Sequence, residues 1–253
     1  MSYNKNLLEL DYLVYSSHKS ATQSLTKTLN TNGFKAVHCH LLRDIGLNNH
    51  SFLQYLDSYV EKNQKKINII SIFREPIERH ISSFFQYYGS RPLVSKEVES
   101  MEETIIFQSS LEELQNMFIT EIKEKSLKGI EESLFEMAYS LTILPIEDLE
   151  YNAEHGLNSI ETKHITLHYC RFDHLTQKMA FLLERLTGQS IEEKPTNLSH
   201  LKWYSDIYSQ FKASLQIPEA VIEARYKDKK NLINIFYNNN YHDLLNNTKQ
   251  KYA

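Results

Sequence analysis

Two runs of β-forming residues in this chain, Tyr12-Leu-Val-Tyr15 and Ile67-Asn-Ile-Ile-Ser-Ile-Phe73, each lead into a basic loop and at once into an amphipathic helical pattern. The first loop is Ser17-His-Lys-Ser-Ala-Thr-Gln-Ser24 and the second segment is Arg74-Glu-Pro-Ile-Glu-Arg-His-Ile-Ser82. A strand that feeds a helix directly is the repeating unit of a mainly parallel α/β sheet. It is also a joint at which backbone N–H groups and the positive end of a helix dipole face a bound anion. The same two segments therefore bear on the fold and on a candidate phosphate site.

The neighbouring sequence continues the alternation. A helix is predicted from about Ala21 to Asn30, where Leu25 and Leu29 recur at i,i+4, and Thr31-Asn-Gly33 ends it with a glycine free to take positive φ. Phe34 to Leu42 alternates as a second strand, with Val37, Cys39 and Leu41 on one face and Ala36, His38 and His40 on the other. A helix near 50 to 63 carries Phe52, Leu53, Leu56 and Val60. The third strand, Ile67 to Phe73, is nearly continuous in apolar residues, as in a strand buried on both faces. Pro76 suits the first turn of the helix that follows. On that helix Ile77, Ile81, Phe84, Phe85 and Tyr88 form the apolar stripe and leave Ser82 off it.

Beyond Gly89 the alternation weakens. Leu93 to Met101 reads as loop, and Ser110 to Lys125 as an amphipathic helix with a serine cap. Residues 130 to 160 have no clear period. A fourth strand, His164 to Cys170, precedes a helix at about Leu175 to Leu186 ended by Gly188, and Pro195 to about His242 reads as helical and rich in tyrosine. No repeat, low-complexity linker or Pro/Gly-rich hinge interrupts the chain. The expected architecture is α/β: a three-layer, P-loop-like domain whose central, mainly parallel sheet of about four to five strands is flanked by helices, with a helical C-terminal part.

Composition narrows the function classes. With 253 residues, 41% hydrophobic and 24% charged, the chain has the make-up of an ordinary globular protein. A net charge of −4 argues against a general nucleic-acid binder, which needs a broad basic surface, and leaves room for a local basic pocket. Cys39 and Cys170 are too few for a disulfide framework or a cysteine-based zinc site, which fits a reducing cytoplasm. No stretch approaches the apolar length of a membrane span, and the first residues do not read as a signal peptide. A cytoplasmic location is expected.

The first loop is not a Walker A motif, because Ser17 to Ser24 contains no glycine, and this weakens an ATP- or GTP-hydrolysing reading. What remains, Lys19-Ser-Ala-Thr-Gln-Ser24, can wrap a phosphate with N–H groups and hydroxyls while Lys19 supplies charge. The same residues also read as a plain helix start, with Ser20, Thr22 or Ser24 as the cap. His38 and His40 by themselves read as a surface pair, or as half of a metal site lacking an obvious third ligand.

The spacing of Arg74 and Ser82, eight positions apart across the strand end and two helical turns, resembles the 3′-phosphate motif of sulfotransferases that use 3′-phosphoadenosine 5′-phosphosulfate (PAPS). Lys19-Ser20-Ala21-Thr22-Gln23 is similar to that family's Lys-Ser/Thr-Gly-Thr-Thr loop, with Ala21 in place of glycine. Ile69-Ile-Ser-Ile-Phe-Arg-Glu-Pro-Ile-Glu-Arg-His-Ile-Ser-Ser-Phe-Phe resembles the heparan and dermatan 2-O-sulfotransferase type, which reads Arg-Asp-Pro-Ile-Glu-Arg followed by Ser-Tyr-Tyr. His38-Cys39-His40 stands where those enzymes have His-Gly-His. Leu201-Lys-Trp-Tyr-Ser205 is similar to the Asn-Lys-Trp-Tyr-Ser signature of a bacterial family of capsular polysaccharide synthesis proteins. There Lys202 could reach the cofactor or an anionic sugar, while Trp203, Ile207 and Phe211 read as a helix core face.

The resemblance implies a single sulfotransferase-like domain over 1–253, with a cofactor-binding core at about 11–90 and 164–190, a helical insertion at about 91–160 and a helical C-terminal part at about 195–245. It implies transfer of a sulfuryl group from PAPS to a carbohydrate or polysaccharide hydroxyl, with PAP (3′-phosphoadenosine 5′-phosphate) as product and no metal required. His40 would be the base, with His38 the alternative. Lys19 would stabilise the leaving group, Ser20 to Ser24 would hold the 5′-phosphate, and Arg74 with Ser82 the 3′-phosphate. A nucleotide-dependent kinase or NTPase, and a non-catalytic PAP-binding protein of capsule assembly, are the alternatives. The acceptor sugar, its hydroxyl and the oligomeric state are left open by the sequence.

Overall fold

The computed structural model describes residues 5–89, 104–124, 133–193 and 202–253. The expected loop at Leu93 to Met101 and the first residue of the Leu201–Ser205 signature lie outside them. The strands are β1 (Tyr12–Tyr15), β2 (Ala36–Cys39), β3 (Ile67–Phe73), β4 (Leu157–Glu161) and β5 (Ile165–Arg171). The first helices are α1 (Thr22–Thr31), α2 (Asn49–Asn63), α3 (Pro76–Tyr88), the short α4 (Ile105–Gln108) and α5 (Leu111–Glu124). They are followed by α6 (Ser133–Phe135), α7 (Phe172–Thr187), α8 (Ser205–Ser214), α9 (Glu219–Asp228), α10 (Lys230–Phe236) and α11 (Tyr241–Tyr252). Two compact units alternate along the chain: Met1–Arg74 with Ile130–Thr196, and Glu75–Gly129 with Asn197–Ala253. Among the described residues no helix is long and apolar enough to cross a membrane.

The first unit holds a five-stranded sheet in the order β2-β1-β3-β5-β4, parallel except for β4, which pairs antiparallel with β5. Helices cover both faces. On one, Tyr12, Val14, Ile70, Ile72 and Cys170 pack with Leu25 and Leu29 of α1 and Leu175, Met179 and Leu182 of α7. On the other, Tyr15 meets Phe52 of α2 edge-on, and Tyr55 and Tyr59 send their hydroxyls to the carbonyls of Leu7 (3.0 Å) and Leu10 (2.6 Å). β3 is buried along almost its whole length, which is why its apolar run could be read without periodicity. Gly33 and Gly188, at φ 88 and φ 70, end α1 and α7 in the left-handed conformation expected of them. β4 has no counterpart among the sequence expectations, because it is an edge strand whose residues are half-buried or exposed and so shows no apolar run. α7 begins three residues earlier than expected, on Phe172.

The second unit is helical among its described residues. Ser110 and Glu113 form a reciprocal capping box before α5, as the serine cap implied. Phe211 of α8 is fully buried, with its ring 5.0 Å from Phe85, 5.5 Å from Phe118 and 5.8 Å from Phe84. The expected Trp203-Ile207-Phe211 stripe is corrected at its first member: Trp203 precedes α8 and sits half-buried against Tyr204 and Phe107.

Candidate functional site

β1 and β3 are neighbours, yet the chain leaves them in opposite senses. From β1 it runs through α1 to β2, and after β3 it returns to the sheet on the far side, at β5 and β4. Strand order reverses between β1 and β3, and the crevice outside the carboxyl ends of the strands at such a point is where open α/β sheets hold ligands. Both basic joints open there.

Ser16, which sequence reasoning passed over, organises the first joint. The β1–β3 register runs from Tyr12 opposite Asn68 to Val14 opposite Ile70. Beyond it, Ser16 Oγ accepts from the Ile72 N–H (3.0 Å) and donates to the Ile72 carbonyl (2.9 Å), so one side chain continues the ladder where the backbones part. Its own N–H donates to the Cys39 carbonyl on β2 (3.3 Å), and its carbonyl accepts from His40 Nδ1 (2.8 Å). Ser16→Ala strands both polar groups of a buried peptide and is expected to lower stability by about 2 to 3 kcal/mol in urea unfolding. A loss below about 0.5 kcal/mol would contradict this role. The only sequence-level signal was a serine closing an apolar strand.

The loop then turns left-handed twice, at Lys19 (φ 65) and Ala21 (φ 60). Backbone of alternating hand presents successive N–H groups to one concave side, and each such non-glycine residue costs about 1 to 2 kcal/mol, a strain typical of functional loops. Ala21 is the N-cap of α1 and makes no side-chain hydrogen bond there. The N-cap is therefore not Ser20, Thr22 or Ser24. Ala21 already occupies the conformation for which a glycine is usually chosen. Ser20, Thr22 and Ser24 are buried, Lys19 is half-buried and Gln23 exposed. Ser20 Oγ lies 3.4 Å from Ser17 Oγ.

Arg74 joins the two segments. Its Nη1 donates to the Lys19 carbonyl (2.7 Å), and its guanidinium carbon lies 4.1 Å from the centre of the Phe172 ring, at the start of α7. Stacking on an aromatic face fixes the plane of the fork and so its direction of donation. Phe172 was missed in the sequence because it comes from a strand end about a hundred positions away. Ser82 lies on α3 in the second unit. It is buried there with Arg79 and His80, although the apolar stripe leaves it outside, because α3 is packed by α4, α5 and α9.

The histidines complete the site. His40 falls one residue past β2, its ring centre 5.7 Å from that of His38. A carbonyl only accepts, so His40 Nδ1 carries the proton that meets Ser16 O, which leaves Nε2 as the ring nitrogen with the lone pair whenever the ring is neutral. Asp44 Oδ2 accepts the backbone N–H groups of His40 and Leu41, both at 2.9 Å. Burial pushes the Asp44 carboxyl up, but those N–H bonds and the nearby His40 and His18 outweigh it and hold it below its ordinary value. Burial, then the charge of His40, lowers the pKa of His38 and favours its neutral form. Cys39 between them is buried and its thiol is pushed up, first by burial and then by Asp44. Among the described residues no group of three histidine, cysteine, aspartate or glutamate side chains is arranged to hold a metal ion.

No known protein family, curated protein or solved structure matches this chain.

Proposed function

We propose that the protein is a PAPS-dependent sulfotransferase acting on a carbohydrate hydroxyl in the synthesis of a capsular or other surface polysaccharide. The observation that supports it most is the junction of the two segments: Arg74 bonded to the Lys19 carbonyl at the strand-order reversal, with the neighbouring His40 held through Nδ1 by the Ser16 carbonyl. A loop with two left-handed residues that ends on an alanine N-cap, with Arg74 bonded to its backbone at Lys19, suits a phosphate dianion. PAPS would bring the activated sulfuryl group, and transfer forms the bond from acceptor oxygen to sulfur as the bond to PAP breaks. His40 Nε2 takes the proton of the acceptor hydroxyl, with His38 the second candidate. Lys19 stabilises the charge that grows on the departing oxygen. The N–H groups of residues 20–24, with Thr22 and Ser24, hold the 5′-phosphate, and Arg74 takes the 3′-phosphate, for which the sequence resemblance also implies Ser82.

Calorimetric titration with PAP, and separately with Mg-ATP, tests the cofactor. Binding of PAP without metal is expected, together with loss of radiolabelled sulfuryl transfer by at least about a hundredfold in His40→Ala. Mg-ATP binding without PAP binding would replace this reading with a kinase or NTPase. PAP binding with no transfer to any polysaccharide acceptor would leave a binding protein.

A further inference from the structure

His40 is restrained from several directions, and one restraint comes from a residue with no role so far. Ser16, which accepts its Nδ1–H, is itself tied to Ile72 and Cys39, so the carbonyl is a fixed acceptor. Asp44 holds the His40 backbone. The remaining freedom is rotation of the ring, which would swing Nδ1 away from Ser16 O. Against that ring lies the ring of His18, with centres 3.8 Å apart and planes inclined by 39°. His18 is exposed, so burial of its own surface does not explain the contact. Its backbone is set from the other side: the next residue, Lys19, is left-handed and its carbonyl is held by Arg74.

We propose that His18 is a positioning residue for His40, holding the ring plane in which Nδ1–H meets Ser16 O, so that in the neutral ring the lone pair is on Nε2. The use of that lone pair as a base rests on the sulfotransfer reading; the placement of the ring does not. The contact also means that the loop assigned to the donor bears directly on the base, since the residue whose ring lies against His40 immediately precedes Lys19.

The test is two-bond proton–nitrogen correlation on protein labelled with nitrogen-15 in histidine, above neutral pH, for wild type, His18→Ala and His18→Phe. Wild type is expected to show His40 protonated at Nδ1. In His18→Ala the ratio of that tautomer to the Nε2–H form is expected to fall at least about fivefold, while the His38 signals keep their positions as the check on folding. Phenylalanine keeps the ring face without nitrogens and is expected to restore the wild-type pattern. An unchanged His40 signal in His18→Ala, or failure of phenylalanine to restore it, overturns the proposal. PAP added to the wild-type sample separates the two claims: no response to PAP counts against sulfotransfer and leaves the tautomer result to decide the role of His18.

Discussion

Arg74→Ala is expected to weaken PAP binding by roughly two to three powers of ten, as charge-assisted hydrogen bonds to a phosphate contribute about 1.5 to 3 kcal/mol each and a fork can make two. The residue also has a scaffolding part, because it holds the Lys19 carbonyl and stacks on Phe172. Losing those contacts is expected to lower stability by about 1 to 2 kcal/mol. Comparing PAP with adenosine 5′-phosphate, which lacks the 3′-phosphate, separates the parts. If Arg74 holds the 3′-phosphate, the variant loses the preference for PAP and binds adenosine 5′-phosphate nearly as wild type does. If its work is to hold the loop, both ligands weaken together and the assignment fails. Arg74→Lys sharpens the result. Lysine keeps the charge but has neither the planar fork nor the stack, so most of the loss is expected to remain.

The second large effect lies in the helical unit, where Glu78 of α3 accepts hydrogen bonds from Lys212, Lys251 and the Tyr252 hydroxyl, each at 2.6 Å. Burial pushes its carboxyl up, but these three donors and the Lys212 charge outweigh it and bring the group down to about 2, from 4.5. A carboxylate depressed on folding adds stability above its unfolded pKa, and that stability is lost as pH falls toward the folded value. Glu78 is 22% exposed, and its contribution at neutral pH is about 3 kcal/mol. Glu78→Gln is therefore expected to cost about 3 kcal/mol in urea unfolding at pH 7 and only about 1 kcal/mol at pH 3. An equal cost at both pH values would show that shape, not charge, is at stake. Three residues earlier, Glu75 behaves oppositely. It caps α3 through the N–H groups of Ile77 and Glu78 and accepts from the Tyr226 hydroxyl, yet burial raises its pKa. Its ionisation costs stability as pH rises through its folded pKa, so the wild-type acid limb mixes the two groups and the comparison with the Glu78 variant is what reads Glu78, together with the relief of its repulsion on Glu75.

Glu75 and Glu78 had been read only as part of a motif, and nothing local distinguishes them. Their opposite titration is set by residues more than a hundred positions away, on α8, α9 and α11. The same holds at the sheet. β3 and α3 could be read from the sequence because a strand buried on both faces is apolar throughout and because Pro76 marks a first helical turn. β4 could not, since an edge strand has one pairing side and no apolar signature. The two basic segments read as halves of one anion site; the bond from the Arg74 guanidinium to the Lys19 backbone carbonyl is a contact that no local pattern announces.

What the sequence determined by itself was therefore what depends on short-range pattern: the alternation of strands and helices up to α3, the mainly parallel sheet and the helix-capping glycines. What only tertiary structure decided was how the groups of the site are held. The Ser16 bridge, the bond from His40 Nδ1 to Ser16 O, the packing of Arg74 over Phe172 and the contact of His18 with His40 all join residues far apart in the chain. Their hydrogen bonds and ring contacts arise only once the sheet has brought the carboxyl ends of β1, β2, β3 and β5 to one edge.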